Sequence, residues 1–120
     1  MKIYTDGSGN GRIGFIIENE GQETVETADI GERTNNVAEY AAVLKALKYI
    51  TSNSVIKDKN IEVISDSQLV VNQLRREWHI KEDILRDLAQ AIWNIVQANQ
   101  LKVTYKWVRR KDNPAGKLLG

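Results

Sequence analysis

Residues 34–53, TNNVAEYAAVLKALKYITSN, are the most informative about the fold class, because the hydrophobic pattern of the chain changes its period at this stretch. The apolar residues that recur here at steps of three and four are Val37, Ala41, Leu44, Leu47 and Ile50. One face of a helix repeats every 3.6 residues, so this spacing predicts an amphipathic helix of about 18 residues. The polar run Ser52-Asn53-Ser54 ends the predicted helix.

Upstream of this helix the chain shows the two-residue period of β-strands. Lys2 to Asp6 predicts a first strand, and Gly11 to Glu18 predicts a second, with apolar residues alternating onto one face. Asn19-Glu20-Gly21 is a turn signal, so a third strand from Gln22 to about Ile30 should pair with the second as a hairpin.

Downstream of the helix, strands and helices alternate. Ile61 to Ser65 predicts a short strand, a helix begins at about Ser67, and another spans about Lys81 to Ala98. The predicted buried stripe of this last helix consists of Ile84, Leu88, Ile92 and Ile95. Leu101 to Trp107 alternates apolar and polar residues in a final strand.

The element order β-β-β-α-β-α-α-β predicts an α/β fold in a single domain, residues 1–120. We expect a mixed five-stranded sheet, with a three-strand antiparallel meander plus two parallel strands joined by right-handed crossovers, and with helices packed on it. In such sheets, sites form beyond the carboxyl ends of strands where the strand order switches. The first and fourth strands should be adjacent at that point.

The composition of the 120 residues is that of an ordinary globular protein, with 42% hydrophobic and 28% charged residues. Because there are no cysteines, disulfides and thiolate metal sites are excluded, and we expect a reducing, cytoplasmic location. No signal peptide or membrane span is evident, and we expect a monomer without membrane contact. The net charge of +1 does not by itself indicate nucleic-acid binding. The basic clusters Arg75-Arg76 and Arg109-Arg110-Lys111 are each more typical of a solvated surface.

Three carboxylates stand at the predicted switch point. Asp6 ends the first strand, Asp66 follows the fourth, and Glu39 lies in the early turns of the long helix. Each also has an ordinary structural interpretation. Asp6 precedes a glycine and fits a turn, Asn36 and Glu39 have the spacing of a capping box, and Asp66 fits a helix N-cap.

Together, these carboxylates indicate a metal site. Acids that converge repel one another and are costly to desolvate, so a fold tolerates them when a divalent cation neutralises them. Oxygen ligands suit Mg²⁺ or Mn²⁺, and zinc is disfavoured because His79 is the sole histidine. Two such ions, roughly 3.5–4 Å apart, activate a water and stabilise the leaving oxygen of a phosphodiester.

Three segments in this order resemble type 1 ribonuclease H: Tyr4-Thr5-Asp6-Gly7-Ser8, Thr34-Asn35-Asn36-Val37-Ala38-Glu39 and Ser65-Asp66-Ser67-Gln68. The resemblance extends over nearly the whole chain. It is closest to compact archaeal and some bacterial members, because Trp78-His79-Ile80-Lys81 leads directly into the next helix without a basic protrusion. The resemblance implies an endoribonuclease that cuts the RNA strand of RNA–DNA hybrids with metal-activated water, leaving 5′-phosphate and 3′-hydroxyl ends.

The resemblance also implies roles for individual residues. Asp6, Glu39 and Asp66 would be the metal ligands, with Asp6 shared by two ions. The residues that would contact the minor groove and the ribose 2′-hydroxyls are Asn10, Asn35, Asn36 and Gln68. Amides suit this role because they both donate to and accept from a 2′-hydroxyl. Thr34 and Asn72 would hold a phosphate of the DNA strand. Trp78 would lie near that strand or serve in packing, and Trp93 and Trp107 are assigned to packing.

The chain departs from the family pattern near its C-terminus, where a fourth carboxylate is usual. The expected Asp falls on Lys117 or on Gly116, depending on the alignment, and neither binds a cation. We favour Asn113 as the catalytic stand-in and keep Asp112 as the second choice, because an Asn carbonyl can ligate Mg²⁺. The histidine that many relatives carry in the preceding loop is also missing. A slower or Mn²⁺-favouring enzyme is therefore expected.

Two other functions stay open at this point. One is a hybrid-binding module that keeps the amides and has lost catalysis. The other is a different nuclease of the same fold superfamily, such as an exonuclease or a junction resolvase. The Thr34–Glu39 segment argues against the second alternative.

Overall fold

The computed structural model describes residues 1–53 and 57–119. The strands are β1 (Lys2–Gly7), β2 (Arg12–Asn19), β3 (Gln22–Asp29), β4 (Asn60–Ser65) and β5 (Lys102–Trp107). The helices are α1 (Asn35–Ser52), α2 (Gln68–Leu74) and α3 (Asp83–Ala98), and two short 3₁₀ helices follow at Arg110–Asp112 and Pro114–Leu119. The predicted helix of about 18 residues is confirmed, and of the residues predicted to end it, Ser54 lies outside the described residues.

The five strands form one sheet in the order β3-β2-β1-β4-β5. β1 pairs antiparallel with β2, and β2 pairs antiparallel with β3. β4 lies parallel to β1 on one side and to β5 on the other. The predicted meander, the two parallel strands and the contact between the first and fourth strands are therefore confirmed, and β1 occupies the centre of the sheet.

Hydroxyl side chains cap the first two helices. Thr34 precedes α1, and its Oγ1 accepts a hydrogen bond from the backbone N–H of Val37 at 3.2 Å. Ser67 precedes α2 and accepts in the same way from Val70 at 3.2 Å. The interpretation of Asp66 as an N-cap is thus wrong, since the next residue fills that role. Its carboxylate is left available for other contacts.

The main core lies between α1, α3 and one face of the sheet, where Ile3, Tyr40 and Ile92 are fully buried. The predicted stripe of α3 is partly wrong. Leu85, Ala89 and Ile92 are the buried residues, whereas Ile84 is 51% exposed. α3 begins at Asp83, two residues later than predicted, and its inward face is centred one residue further along the chain than the predicted stripe.

On the opposite face of the sheet, the second 3₁₀ helix packs against β1 and β2. On β2, Gly14 and Ile16 point away from the face covered by α1, because side chains alternate along a strand. A Cβ added to Gly14 would lie 3.1 Å from Leu118 Cδ1, so the chain passes close over this glycine. Among the described helices, none is long and apolar enough to cross a bilayer.

Candidate active site

The three carboxylates singled out in the sequence meet at one edge of the sheet. One oxygen each of Asp6, Glu39 and Asp66 lies within 4.8 Å of the other two. Asp6 and Glu39 are 5% and 7% exposed, and Asp66 is half-buried. These residues come from a strand end, a helix and a strand–helix junction that are far apart along the chain.

The parallel pairing of β1 and β4 explains why Asp6 and Asp66 converge, because parallel neighbours end at the same edge of a sheet. Glu39 joins them through the close approach of α1 to the end of β1. A Cβ added to Gly7 would lie 2.4 Å from both the carbonyl carbon and the oxygen of Ala38. The missing side chain lets the strand touch the helix backbone, and the Gly7 N–H donates directly to Glu39 Oε1.

Crowding changes the acidity of two of these groups. Burial, followed by the hydrogen bond and the negative charge of Asp6, raises the pKa of Glu39 to about 9. Burial and the charge of Asp6 also raise the pKa of Asp66, while the hydrogen bond from Asn113 and the Arg110 guanidinium oppose that rise. Without a cation the cluster therefore holds a proton at neutral pH, as expected for acids that lack a compensating charge.

Asn113, the predicted stand-in for the fourth carboxylate, lies directly beside Asp66 and is 2% exposed. Its Nδ2 donates to the Thr5 carbonyl oxygen at 2.9 Å and to Asp66 Oδ2 at 3.3 Å. Its Oδ1 accepts from the backbone N–H of Ala115 at 3.2 Å. The amide thus turns its NH₂ group, and not its oxygen, toward the carboxylates.

The other residues considered for the position of the fourth carboxylate differ in their distance from the carboxylate cluster. A Cβ at Gly116 would lie 3.6 Å from Asp6 Oδ2, so the backbone of this residue borders the site. Lys117 is exposed. Asp112 is exposed and forms an ion pair with Arg109 at 3.7 Å, and it is not part of the carboxylate cluster.

Trp107 was assigned to packing, and that assignment is wrong. The residue is 39% exposed at the end of β5, paired in register with Ser65. Its Nε1 donates to the backbone carbonyl of Asp66 at 3.1 Å. The sequence does contain a signal for this contact. Trp107 is the last residue of the final predicted strand, and Asp66 directly follows the fourth predicted strand, which lies in the same sheet. Trp93 is half-buried against the core and fits its packing assignment.

The predicted substrate-binding residues lie around the starts of α1 and α2. Thr34 caps α1, with Asn35 and Asn36 in its first turn, while Gln68 is the first residue of α2. The turn that contains Asn10 is tied to this region, because the Gly9 carbonyl accepts from the backbone N–H of Arg33 at 3.1 Å.

Two further predicted contacts lie on or after α2. Asn72 is half-buried, and its Nδ2 donates to the Gln68 carbonyl at 2.9 Å. Trp78, which follows α2, is 46% exposed. This exposure leaves the indole available for contact with a ligand, and it is also compatible with the structural alternative of a semi-buried packing residue.

The two basic clusters differ in their contacts. Arg75 Nε donates to the Tyr105 carbonyl at 2.8 Å, and the Arg76 guanidinium stacks 3.8 Å from the ring centre of Trp93. These arginines therefore tie α2 to β5 and α3. Arg110 is the first residue of the 3₁₀ helix that leads to Asn113, and its charge acts on Asp66.

A family model described as reverse transcriptase-like matches residues 3–119. Among solved structures, the chain is similar to LC11-RNase H1, isolated from compost by a metagenomic approach, with 32% identity and a TM-score of 0.86. That match covers 98% of this chain and 90% of the other. The structure of LC11-RNase H1 in complex with an RNA/DNA hybrid matches with 31% identity, a TM-score of 0.84 and 99% coverage of both chains.

Among curated proteins, the chain is 39% identical over 93 residues to ribonuclease H of Anaeromyxobacter dehalogenans strain 2CP-C. That match covers 68% of this chain and 47% of the relative. The chain spans about a third of the length of the first curated relatives it matches.

Proposed function

Because the chain belongs to the type 1 ribonuclease H family, we propose that it is an endonuclease that hydrolyses the RNA strand of RNA–DNA hybrids. The observation that carries this proposal is the convergence of Asp6, Glu39 and Asp66 within 4.8 Å of one another. The matching solved structure that contains an RNA/DNA hybrid supports the proposed substrate.

The donor set fits a hard divalent cation. It consists of carboxylate oxygens, and no nitrogen or sulfur ligand is grouped with them among the described residues. The raised pKa of Glu39, about 9, shows the electrostatic strain that a cation would relieve. Asp6, Glu39 and Asp66 would hold Mg²⁺ or Mn²⁺, in a two-ion site that shares Asp6. When bound, such ions supply an activated water and stabilise the leaving oxygen.

The burial of the three acids determines the side from which a substrate approaches. Asp6 and Glu39 are nearly inaccessible, while Asp66 is half-buried. The scissile phosphodiester therefore approaches from the side of Asp66. With the water attacking phosphorus and the ribose 3′-oxygen leaving, the products carry 5′-phosphate and 3′-hydroxyl ends. The Arg110 charge near Asp66 favours a bound phosphate at this edge.

Amide side chains around the cluster would select RNA. Asn35 and Gln68 are exposed at the starts of their helices, and Asn36 is half-buried beside Asn35. Asn10 Oδ1 accepts from the backbone N–H of Arg12 at 3.0 Å, while its NH₂ makes no hydrogen bond within the described residues. These groups would read the minor groove and the ribose 2′-hydroxyls, which distinguish RNA from DNA.

The DNA strand would lie along α2 and the start of α1. The Thr34 hydroxyl accepts from Val37 and keeps its own hydrogen for donation to a phosphate. Asn72 would contact the same phosphate, and the exposed Trp78 would pack against a sugar. We further propose that residues 1–120 act as a single domain, as a monomer in the cytoplasm and without membrane contact.

The test is cleavage of an end-labelled RNA–DNA hybrid in Mg²⁺ and in Mn²⁺, with RNA duplex and DNA duplex as competing substrates. We expect metal-dependent cutting of the RNA strand of the hybrid, with faster cutting in Mn²⁺. The Asp6→Asn variant should reduce the rate by at least about a hundredfold, because it removes charge from the shared ligand. The matched control is Asp83→Asn, an exposed acid at the start of α3.

Three outcomes would contradict the proposal in different ways. Tight hybrid binding without cutting in either metal would indicate a hybrid-binding module that has lost catalysis. Equal cutting of duplex DNA would indicate another nuclease of the same superfamily. Cutting that persists in Asp6→Asn at the wild-type rate would remove the carboxylate cluster from the mechanism.

A further inference from the structure

The hydrogen bonds of Asn113 determine which way its amide faces. Its NH₂ donates to a backbone carbonyl, that of Thr5, and its oxygen accepts from a backbone N–H, that of Ala115. A backbone carbonyl only accepts and a backbone N–H only donates, so the two ends of the amide are not interchangeable. The remaining contact, from Nδ2 to Asp66 Oδ2 at 3.3 Å, follows from this orientation.

Turning the amide so that its oxygen faces a cation would be costly. The oxygen of Asn113 would then face the Thr5 carbonyl, and its NH₂ would face the N–H of Ala115. Both mismatches would be buried, since Asn113 is 2% exposed. A buried polar group that loses its hydrogen-bond partner destabilises the fold, because it has given up water without a replacement. A neutral carbonyl ligand offers little charge to offset this cost.

Gly116 borders the other side of the cluster. A Cβ added there would lie 3.6 Å from Asp6 Oδ2, which is ordinary van der Waals contact. Outside Gly116, its two chain neighbours and the backbone of its own 3₁₀ helix, no other heavy atom of the described residues lies within 4 Å of that point. The position therefore has room for a side chain that reaches a cation held by Asp6.

We propose that Asn113 is a positioning residue that holds Asp66 against the end of β1, and that Gly116 marks the place of the missing fourth metal ligand. The inference rests on the proposed function, because it describes the same site. Asn113 bonds at once to the backbone of Thr5, which precedes Asp6, and to the carboxylate of Asp66. It thereby fixes the distance between two carboxylates that repel each other.

The first test follows the side-chain NH₂ of Asn113 by NMR in the unmodified protein, with and without saturating Mg²⁺. We expect its hydrogens to exchange with solvent at least about tenfold more slowly than those of the exposed Asn94, in both states. Loss of this protection when Mg²⁺ binds would show that the amide turns its oxygen to the ion, and would overturn the positioning role.

The second test is titration calorimetry with Mn²⁺ on the wild type, Gly116→Asp and Gly116→Ala. A carboxylate at this position should tighten Mn²⁺ binding about tenfold, because affinity rises with the number of charged ligands. Gly116→Ala adds only the Cβ and should leave the affinity within about twofold of the wild type. Equal affinities for the Asp and Ala variants would overturn the assignment of Gly116.

The wild-type titration separates this inference from the proposed function. A wild type that takes up no Mn²⁺ overturns both. If the wild type binds Mn²⁺ and cuts hybrid, but either of the two tests above gives the contradicting result, the inference alone is overturned.

Discussion

Glu39 carries the largest electrostatic cost in the carboxylate cluster, with a pKa of about 9 in the folded chain against an ordinary value of 4.5. Below pH 4.5 the folded and unfolded states both hold its proton, and Glu39 costs nothing. As the pH rises toward 9, the unfolded chain releases the proton while the folded chain retains it, so stability falls. Glu39 thus lowers the stability of the metal-free chain, which agrees with its proposed role as a ligand of a cation.

Glu39→Gln should therefore stabilise the metal-free protein at pH 7 by about 3 kcal/mol, because pH 7 lies 2.5 units above the ordinary pKa of 4.5 and each unit corresponds to about 1.4 kcal/mol. Its amide oxygen can still accept from the Gly7 N–H, and its NH₂ can donate to Asp6, which shares a hydrogen bond with Glu39 in the wild type. The gain should vanish below about pH 4.5 and grow as the pH rises toward 9. Urea unfolding in EDTA at a series of pH values measures it. A variant less stable than the wild type at pH 7 would contradict the assigned pKa.

Gly7 should tolerate no side chain. Gly7→Ala would place its Cβ 2.4 Å from the backbone of Ala38, and we expect it to destabilise the fold. The expected loss is about 1–3 kcal/mol, the usual cost of overpacking. Gly9→Ala is the matched control, and we expect it to destabilise the fold less. The closest contact of its Cβ would be the side-chain oxygen of Asn35, which can move away. Chemical denaturation of both variants measures the difference, and equal losses would speak against the close strand–helix contact.

The sequence was informative for residues whose role follows from their place at a strand end, such as Asp6 and Asp66. It was less informative where two adjacent residues compete for one role. Ser67, not Asp66, caps α2, and only the backbone geometry decides between them. Trp107 was missed because an aromatic residue in an alternating strand is typical of the core, while its indole N–H in fact bonds to the Asp66 carbonyl.

At the scale of elements, a buried hydrogen-bond chain joins α1 to α2 and to the segment that follows it. The Tyr40 hydroxyl donates to Gln73 Oε1 at 2.8 Å, and Gln73 Nε2 donates to the His79 carbonyl at 3.2 Å. Tyr40 is fully buried and Gln73 is 5% exposed. This chain holds α2, and with it Gln68, in place relative to the helix that carries Glu39.

Tyr40→Phe should leave Gln73 Oε1 buried without a donor and cost about 1–3 kcal/mol. A double-mutant cycle with Gln73→Met should give a coupling energy of about 1 kcal/mol, since the two side chains are in direct contact. Thermal or urea unfolding of the four proteins measures this coupling. Strictly additive losses would show that the contact does not join the helices.

The phase of α3 shows the limit of pattern analysis for elements. Ile84 and Leu85 are adjacent and both apolar, so the sequence alone does not determine which of them faces inward. Packing decides it, because the stripe of Leu85, Ala89 and Ile92 meets the core and leaves Ile84 51% exposed. The second 3₁₀ helix, Pro114–Leu119, was not predicted either, since its six residues are too few to show a helical repeat of apolar positions.

At the scale of the whole molecule, the sheet order follows from general rules on strand pairing and crossover handedness. For that reason, the adjacency of β1 and β4 was predictable from the order of elements alone. The distances within the carboxylate cluster were not, because they depend on the contact of Gly7 with α1 and on the tail that brings Asn113 to Asp66.

Divalent cations should stabilise the entire domain through this cluster. At a Mn²⁺ concentration about a hundredfold above the dissociation constant, the gain should be about 2.7 kcal/mol, because the ion binds the folded state. Differential scanning calorimetry of the wild type and Asp6→Asn, each with and without Mn²⁺, measures it. An equal rise in Tm for both proteins would place the stabilising ion elsewhere.

The most direct test is anomalous diffraction from crystals of the wild-type chain grown with Mn²⁺. We expect Mn²⁺ density within coordination distance of oxygens of Asp6, Glu39 and Asp66, with the NH₂ of Asn113 still on the Thr5 carbonyl. Crystals saturated with Mn²⁺ that show these three carboxylates apart, with the ion bound at other residues, would contradict it.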